Sequence, residues 1–319
     1  MNGRRAGEIF DVLSAAPADA LRAVARVAPA SAVQAVGPGL VLRFGEADAP
    51  PLFAVHLDGG SASLGFLAAA LAAGQGGAAL IAVTDGPPAR AAQIVQDLRD
   101  NAVAPRICVV GAPTGLRVQD RHKGFRATQL HVTGRGGSSA DPRSGPSALD
   151  QALRYTALLT ARQAAFMAAA DPNTPFDPPW TTLNIARVSG GEGLGEVAAH
   201  ARVDWDLRAV HAADASELAA ATEGLVVEMN AVLQAVAPGC GAREEVLTDL
   251  PPLLPQRLNA ARDALLRIVP GTASAARDAS VAGFYRGLGA DVALFGPDDG
   301  APEDLERCAE VLRQLTTPA

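Results

Sequence analysis

Few residues in this sequence have types and spacing that could do chemistry. His56 and Asp58 stand two apart at the end of the apolar run PLFAVHLD. Such a pair is either half of a metal site or a strand-end pair hydrogen-bonded to each other, because one imidazole and one carboxylate hold zinc weakly without two more ligands. Ser61 and Ser63 follow closely as hydroxyl nucleophile candidates, although no spacing rule joins them to His56 as a triad. Arg208, in DWDLR, is a candidate for binding a ligand carboxylate, with an ordinary ion pair as the alternative. The glycines of SGGEGLGE join two strand-like runs instead of opening a helix after a parallel strand, so they read as a hairpin turn and not as a dinucleotide loop. GRGGSSADPRSG lies before a helix and is either an anion-binding loop or a structural one. His122 and Lys123 mark a hinge at RHKG.

The elements that position these residues follow two grammars. From Gly39 to Gly111 short apolar runs alternate with alanine-rich stretches, as in strand, helix, strand units around a parallel sheet. GLVLRFG, PLFAVHLD, AALIAVT and RICVVG are the strands, and helices are expected from Leu64 to Ala73 and from Pro87 to Asp100. After Gly124 the order becomes strand, long helix from Pro146 to about Ala170, two strands, and a helix from Ala213 to Val236. Such an order suits an antiparallel sheet with helices on one face. Near Pro251 the first grammar resumes, with helices at 257–268, 279–288 and 302–316 and the strand DVALFG. Residues 1–124 and 246–319 are therefore expected to form one discontinuous α/β domain, and 125–245 a domain inserted into it.

Composition excludes several classes of function. The chain has 319 residues, 49% of them hydrophobic and 19% charged, which allows a buried core. A net charge of −7 opposes phosphate binding, so no nucleic-acid partner is expected. With Arg4, Arg5, Glu8 and Asp11 in the first residues, no apolar leader is expected at the start of the sequence. The run Phe66 to Ala73 is too short to span a membrane, so no membrane association is expected. Cys108, Cys240 and Cys308 are odd in number and widely spaced, and they read as reduced thiols of a cytoplasmic protein.

Four phrases carry a resemblance: VVGAPTGLRVQDRHKG, VTGRGGSSADPRSGPSAL, TTLNIARVSGGEGLGEV running on to DWDLR, and LFGP. In order and spacing they resemble the superfamily of acetylornithine deacetylase, succinyl-diaminopimelate desuccinylase and carboxypeptidase G, over most of the chain. The resemblance implies a split zinc-aminopeptidase-like α/β domain with a mixed, largely parallel sheet. It also implies an inserted α+β, ferredoxin-like lid that commonly makes a homodimer.

The family's chemistry uses two zinc ions held by His and carboxylate ligands, with a Glu as general base for a bridging water. His56 and Asp58 match its His-x-Asp motif, in which the His binds zinc and the Asp orients the second ring nitrogen. The other positions depart from the pattern. Residues 59–84 hold no Asp, Glu, His or Cys to supply the bridging ligand. Asp85, followed by Gly86, Pro87 and Pro88, stands where the family has two adjacent Glu. Ala112, Pro113 and Thr114 replace the Glu-Pro-Thr ligand, Ser138 replaces the lid His, and no histidine follows His211. The resemblance thus leads to an expectation of no zinc cofactor, with His56, Asp58 and Asp85 as remnants of the site and none of them catalytic. The expected function is that of a catalytically inactive, dimeric binding, regulatory or scaffold protein whose partner is a protein or a small amino-acid-like ligand. The alternatives are a metal-dependent amidohydrolase, deacylase or peptidase acting on N-acyl amino acids or small peptides, and an enzyme with metal-free chemistry.

Overall fold

A computed structural model describes residues 5–15, 19–28, 33–37, 39–141 and 145–317. Arg4 and residues 142–144 of the glycine-rich loop considered for anion binding lie outside the described residues. The chain divides into two compact units, Met1–His122 with Leu253–Ala319, and Lys123–Pro252.

The larger unit begins with α1 (Ala6–Ser14), α2 (Ala20–Val27), β1 (Val33–Val36) and β2 (Gly39–Phe44). It continues through β3 (Leu52–Leu57), α3 (Ser61–Gly74), β4 (Ala79–Asp85), α4 (Ala89–Asp100), β5 (Ile107–Gly111) and β6 (Gln119–Arg121). The inserted unit comprises β7 (Phe125–Thr133), β8 (Gly137–Ser138), α5 (Ala148–Ala168), β9 (Thr182–Gly190), β10 (Glu196–Val197), β11 (His200–Arg208), α6 (Ala212–Val236) and β12 (Gly241–Leu250). The larger unit then resumes with α7 (Ala260–Ile268), β13 (Ser274–Ala275), α8 (Ala282–Tyr285), β14 (Asp291–Phe295) and α9 (Pro302–Thr316).

The eight strands of the larger unit form one mixed sheet in the order β1-β2-β4-β3-β5-β14-β6-β13, and its four central strands, β4, β3, β5 and β14, run parallel. Alternate residues of a strand face opposite sides. Phe53 and Val55 of β3, Ile81 and Val83 of β4 and Phe295 of β14 enter the core shared with α1, α3, α7 and α9, while Leu52, Ala54, Cys108 and Leu294 are buried on the other side. The sequence of α3, SASLGFLAAALAAG, is built from strong helix formers and is apolar all round, and every residue from Leu64 to Gly74 is buried. Gly65 permits this close packing, because a Cβ there would stand 2.9 Å from Leu305 and 3.1 Å from the Asp299 carbonyl oxygen. Only Asp58, Gly59 and Gly60 separate β3 from α3, and Gly59 takes a φ of +84° in that tight turn.

The inserted unit is an antiparallel four-stranded sheet in the order β12-β7-β11-β9, with α5 and α6 packed on it. Its strand, helix, strand, strand, helix, strand order is that of the ferredoxin-like fold. Leu130, Val132, Val203, Trp205 and Leu207 alternate along β7 and β11 toward the helices. Ser147 caps α5 by accepting from the Asp150 amide at 3.2 Å.

Four expectations from the sequence are adjusted here. The helix after His56 starts three residues earlier than Leu64, at Ser61, because the Asp58 turn leads straight into it. The inserted unit runs to Pro252 and not to 245, because β12 belongs to its sheet. The second of the two strands expected after the long helix, EVAAHARVDWDLRAV, is two strands interrupted at Ala198 and Ala199. The helix expected at 279–288 is a four-residue α8 followed by a 3-10 turn at Arg286–Leu288.

Candidate functional site at the carboxyl ends of β3 and β4

From β3 the chain passes through α3 to β4 on one side, then through α4 to β5 on the other. The carboxyl ends of β3 and β5 therefore flank the point where strand order reverses, the usual place for a ligand crevice in an open α/β sheet. Both His56 and Asp58 lie at the end of β3.

The parallel register sets His56 opposite Thr84 and Leu57 opposite Asp85. His56 is half-buried, and its Nδ1 lies 2.9 Å from Thr84 Oγ1. Asp58 Oδ1 accepts from the Gly60 amide at 2.9 Å and from Ser63 Oγ at 2.7 Å. The hydrogen bonds of His56 and Asp58 thus go to other groups, which corrects the expectation of a pair bonded to each other: the carboxylate is drawn toward the amino-terminal turn of α3, where amides and the helix dipole favour an anion. Asp85 forms an ion pair with Arg90 at 2.6 Å.

Burial holds the His56 imidazole below its ordinary pKa, against the opposing charge of Asp58, a hydrogen bond to the Gly86 backbone and the charge of Asp85. For Asp58, burial pushes the carboxyl up, but the bonds from Ser63 and Gly60 outweigh it and the pKa falls below the ordinary value. At neutral pH the end of β3 therefore holds a neutral imidazole beside an ionised carboxylate. Because the folded chain binds the His56 proton more weakly than the unfolded chain, stability is complete above about pH 6.5 and declines as the pH falls through the interval down to the folded pKa. In melts of wild type and His56→Gln between about pH 8 and 5, the wild type is expected to lose more stability than the variant below about pH 6.5. Parallel curves would contradict this.

The neighbouring strand-end loops are closed by their own bonds. Thr114 Oγ1 donates to the Gly296 carbonyl at 3.2 Å and accepts from the Gly296 amide at 3.1 Å. Asp298 accepts from the Gly115 amide at 2.6 Å, and Asp299 from the Ala301 amide at 2.8 Å. Among the described residues no group of three or more His, Cys, Asp or Glu side chains is placed to hold a metal ion. The residues present therefore do not fit the zinc pair that the family chemistry implies.

The other candidates lie apart from this cluster in the chain. Arg208 ends β11 in the inserted unit, its guanidinium 4.4 Å from the centre of the Phe125 ring. Ser138 lies on β8 and pairs with Glu196 of β10. His122 is fully buried, with Nε2 3.2 Å from Ser280 Oγ, and Lys123 donates to the carbonyls of Pro178 and Trp180 at 2.7 Å each. Thr84, which the sequence reading passed over, is the residue the fold adds to the site.

Residues 121–231 match the model of the M20 peptidase dimerisation domain. The chain is 31% identical over 107 residues to an acetylornithine deacetylase of Aliivibrio fischeri, and 30% identical over 110 residues to one of Edwardsiella ictaluri. The matched stretches cover 33% and 34% of this chain but only 28% of each relative. In fold the chain is similar to a tripeptidase of Staphylococcus aureus, with a TM-score of 0.70 at 12% identity over 99% of this chain and 98% of that one. It is also similar to an M20 family metallo-carboxypeptidase of Sulfolobus solfataricus, with a TM-score of 0.63 at 12% identity over 96% and 98% of the two chains. No described helix is long and apolar enough to cross a membrane.

These likenesses correct the expectation of a catalytically inactive scaffold. The relatives are named as deacetylases, the fold is shared with proteins named as peptidases, and nothing in the structure shows a scaffold, so the hydrolase alternative fits better. In its dimerisation-domain match, its sequence relatives and its fold, the chain is similar to the superfamily of acetylornithine deacetylase, succinyl-diaminopimelate desuccinylase and carboxypeptidase G.

Proposed function

We propose that the chain is a hydrolase of carbon–nitrogen amide bonds, acting as a deacylase or peptidase on N-acyl amino acids or small peptides. The observation that carries this reading is the neutral imidazole of His56 held beside the ionised Asp58 at the switch point of the sheet. In the reaction a water molecule gives a proton to the neutral His56 ring as its oxygen bonds to the amide carbon. The carbon–nitrogen bond then breaks, the proton passes to the departing amine, and a carboxylic acid remains. Asp58 stabilises the transient imidazolium through its charge. The names of the sequence relatives support the substrate class.

The test is release of free amine from a panel of N-acetyl and N-succinyl amino acids and of di- and tripeptides, with and without added zinc. Turnover of at least one class is expected. A folded protein that turns over none under either condition would overturn the reading.

We further infer a cytoplasmic homodimer assembled through the inserted unit. The three free cysteines are buried, and the dimerisation-domain match covers most of that unit. Its sheet ends in two edges, β9 and β12, whose unpaired backbone groups favour pairing with another copy. Light scattering at micromolar concentration is expected to give twice the chain mass, and a monomer would contradict the assembly.

A further inference from the structure

We infer that Thr84, and not Asp58, is the positioning residue for His56. The hydrolase reading supplies the reason why the ring's orientation matters; the bond itself is a feature of the fold. Thr84 is fully buried and sits in the apolar strand ALIAVTD, where a hydroxyl without partners would be costly. It has two partners, His56 Nδ1 at 2.9 Å and the Val55 carbonyl at 3.4 Å. The parallel register places Thr84 directly opposite His56, and a β-branched side chain has few χ1 choices, so the strand pairing itself fixes where the hydroxyl stands.

Asp58 is differently engaged. It lies one residue beyond the end of β3, and its Oδ1 takes the Gly60 amide and the Ser63 hydroxyl. It acts on His56 through charge alone. With Nδ1 bonded to Thr84, and the Gly86 backbone a further partner of the ring, Nε2 is the nitrogen assigned to take the proton from water.

The experiment is nitrogen-15 NMR of the full chain labelled at histidine, at about pH 8, above the ordinary pKa of an imidazole. The resonances of His56 are assigned as those missing from His56→Gln. The expected result is that Thr84→Val moves the His56 Nδ1 resonance, Thr84→Ser restores it, and Asp58→Asn leaves it in place. On a turned-over substrate, Thr84→Val is expected to lower kcat about tenfold with KM kept, and Thr84→Ser to recover most of it. A Nδ1 resonance unmoved in Thr84→Val, or moved as far by Asp58→Asn, would overturn the inference. Lack of turnover on every substrate would remove the hydrolase reading and leave the NMR result to decide the role of Thr84.

Discussion

His56→Ala is expected to lower amide hydrolysis by about 10²- to 10⁴-fold, the range supplied by a positioned proton-transfer group. The expectation separates chemistry from folding. His56 is half-buried at a strand end, its Nδ1 is bonded to Thr84, and the core under it is apolar. Truncating it removes a few contacts, so the stability cost is about 1 kcal/mol. The variant is therefore expected to melt within a few degrees of wild type while kcat collapses. Asp58→Asn serves as the contrast, because that carboxylate also accepts from Gly60 and Ser63 at the start of α3. Asparagine keeps an oxygen that can accept both bonds, so the change is expected to cost less than about 0.5 kcal/mol and to lower kcat less than the histidine change does. Equal turnover in wild type and His56→Ala would remove His56 from the chemistry.

The sequence made the parallel core and the inserted fold readable because each is a pattern repeated over many residues. Apolar runs separated by Ala-rich helices set the central strands, and two long helices flanked by alternating strands set the inserted unit. Strand β12 escaped because GAREEVLTDL carries three charges in its first half and a bulge between Val246 and Thr248, which breaks the alternation. Thr84 escaped for a different reason. A threonine in an apolar strand has no spacing relation to His56, which lies 28 residues earlier, and only the register of β3 with β4 brings them together. His56 and Asp58 read as partners because proximity in sequence does not show which neighbouring donor takes the carboxylate; Ser63, five residues on, is the one that does.

Trp205→Ala is expected to cost about 3–5 kcal/mol, the usual range for deleting a large buried aromatic, and to abolish the dimer along with the inserted unit's fold. Trp205 is 2% exposed and sits on the inner strand β11, opposite Thr128 of β7 and Ile185 of β9. Its Nε1 donates to the Tyr155 hydroxyl at 2.9 Å, and that hydroxyl donates in turn to Glu244 of β12, so one chain of bonds ties α5 to the middle and the edge of the sheet. Burial, and then the charge of Glu244, push the Tyr155 pKa far upward, which keeps the phenol protonated and donating. Deleting the indole opens a cavity and breaks the first link. Trp205→Phe retains most of the apolar volume and loses only the N–H, and its cost is expected to be about 1 kcal/mol. Tyr155→Phe leaves the indole N–H without its acceptor and Glu244 without its donor, and about 1–3 kcal/mol is expected for such stranded groups. Thermal melts and light scattering on the three variants therefore give an ordered series, with Trp205→Ala lowest in melting temperature and monomeric or aggregated. If Trp205→Ala melts with wild type and remains dimeric, the packing under β11 does not sustain the inserted unit, and the cohesion of that sheet must come from elsewhere.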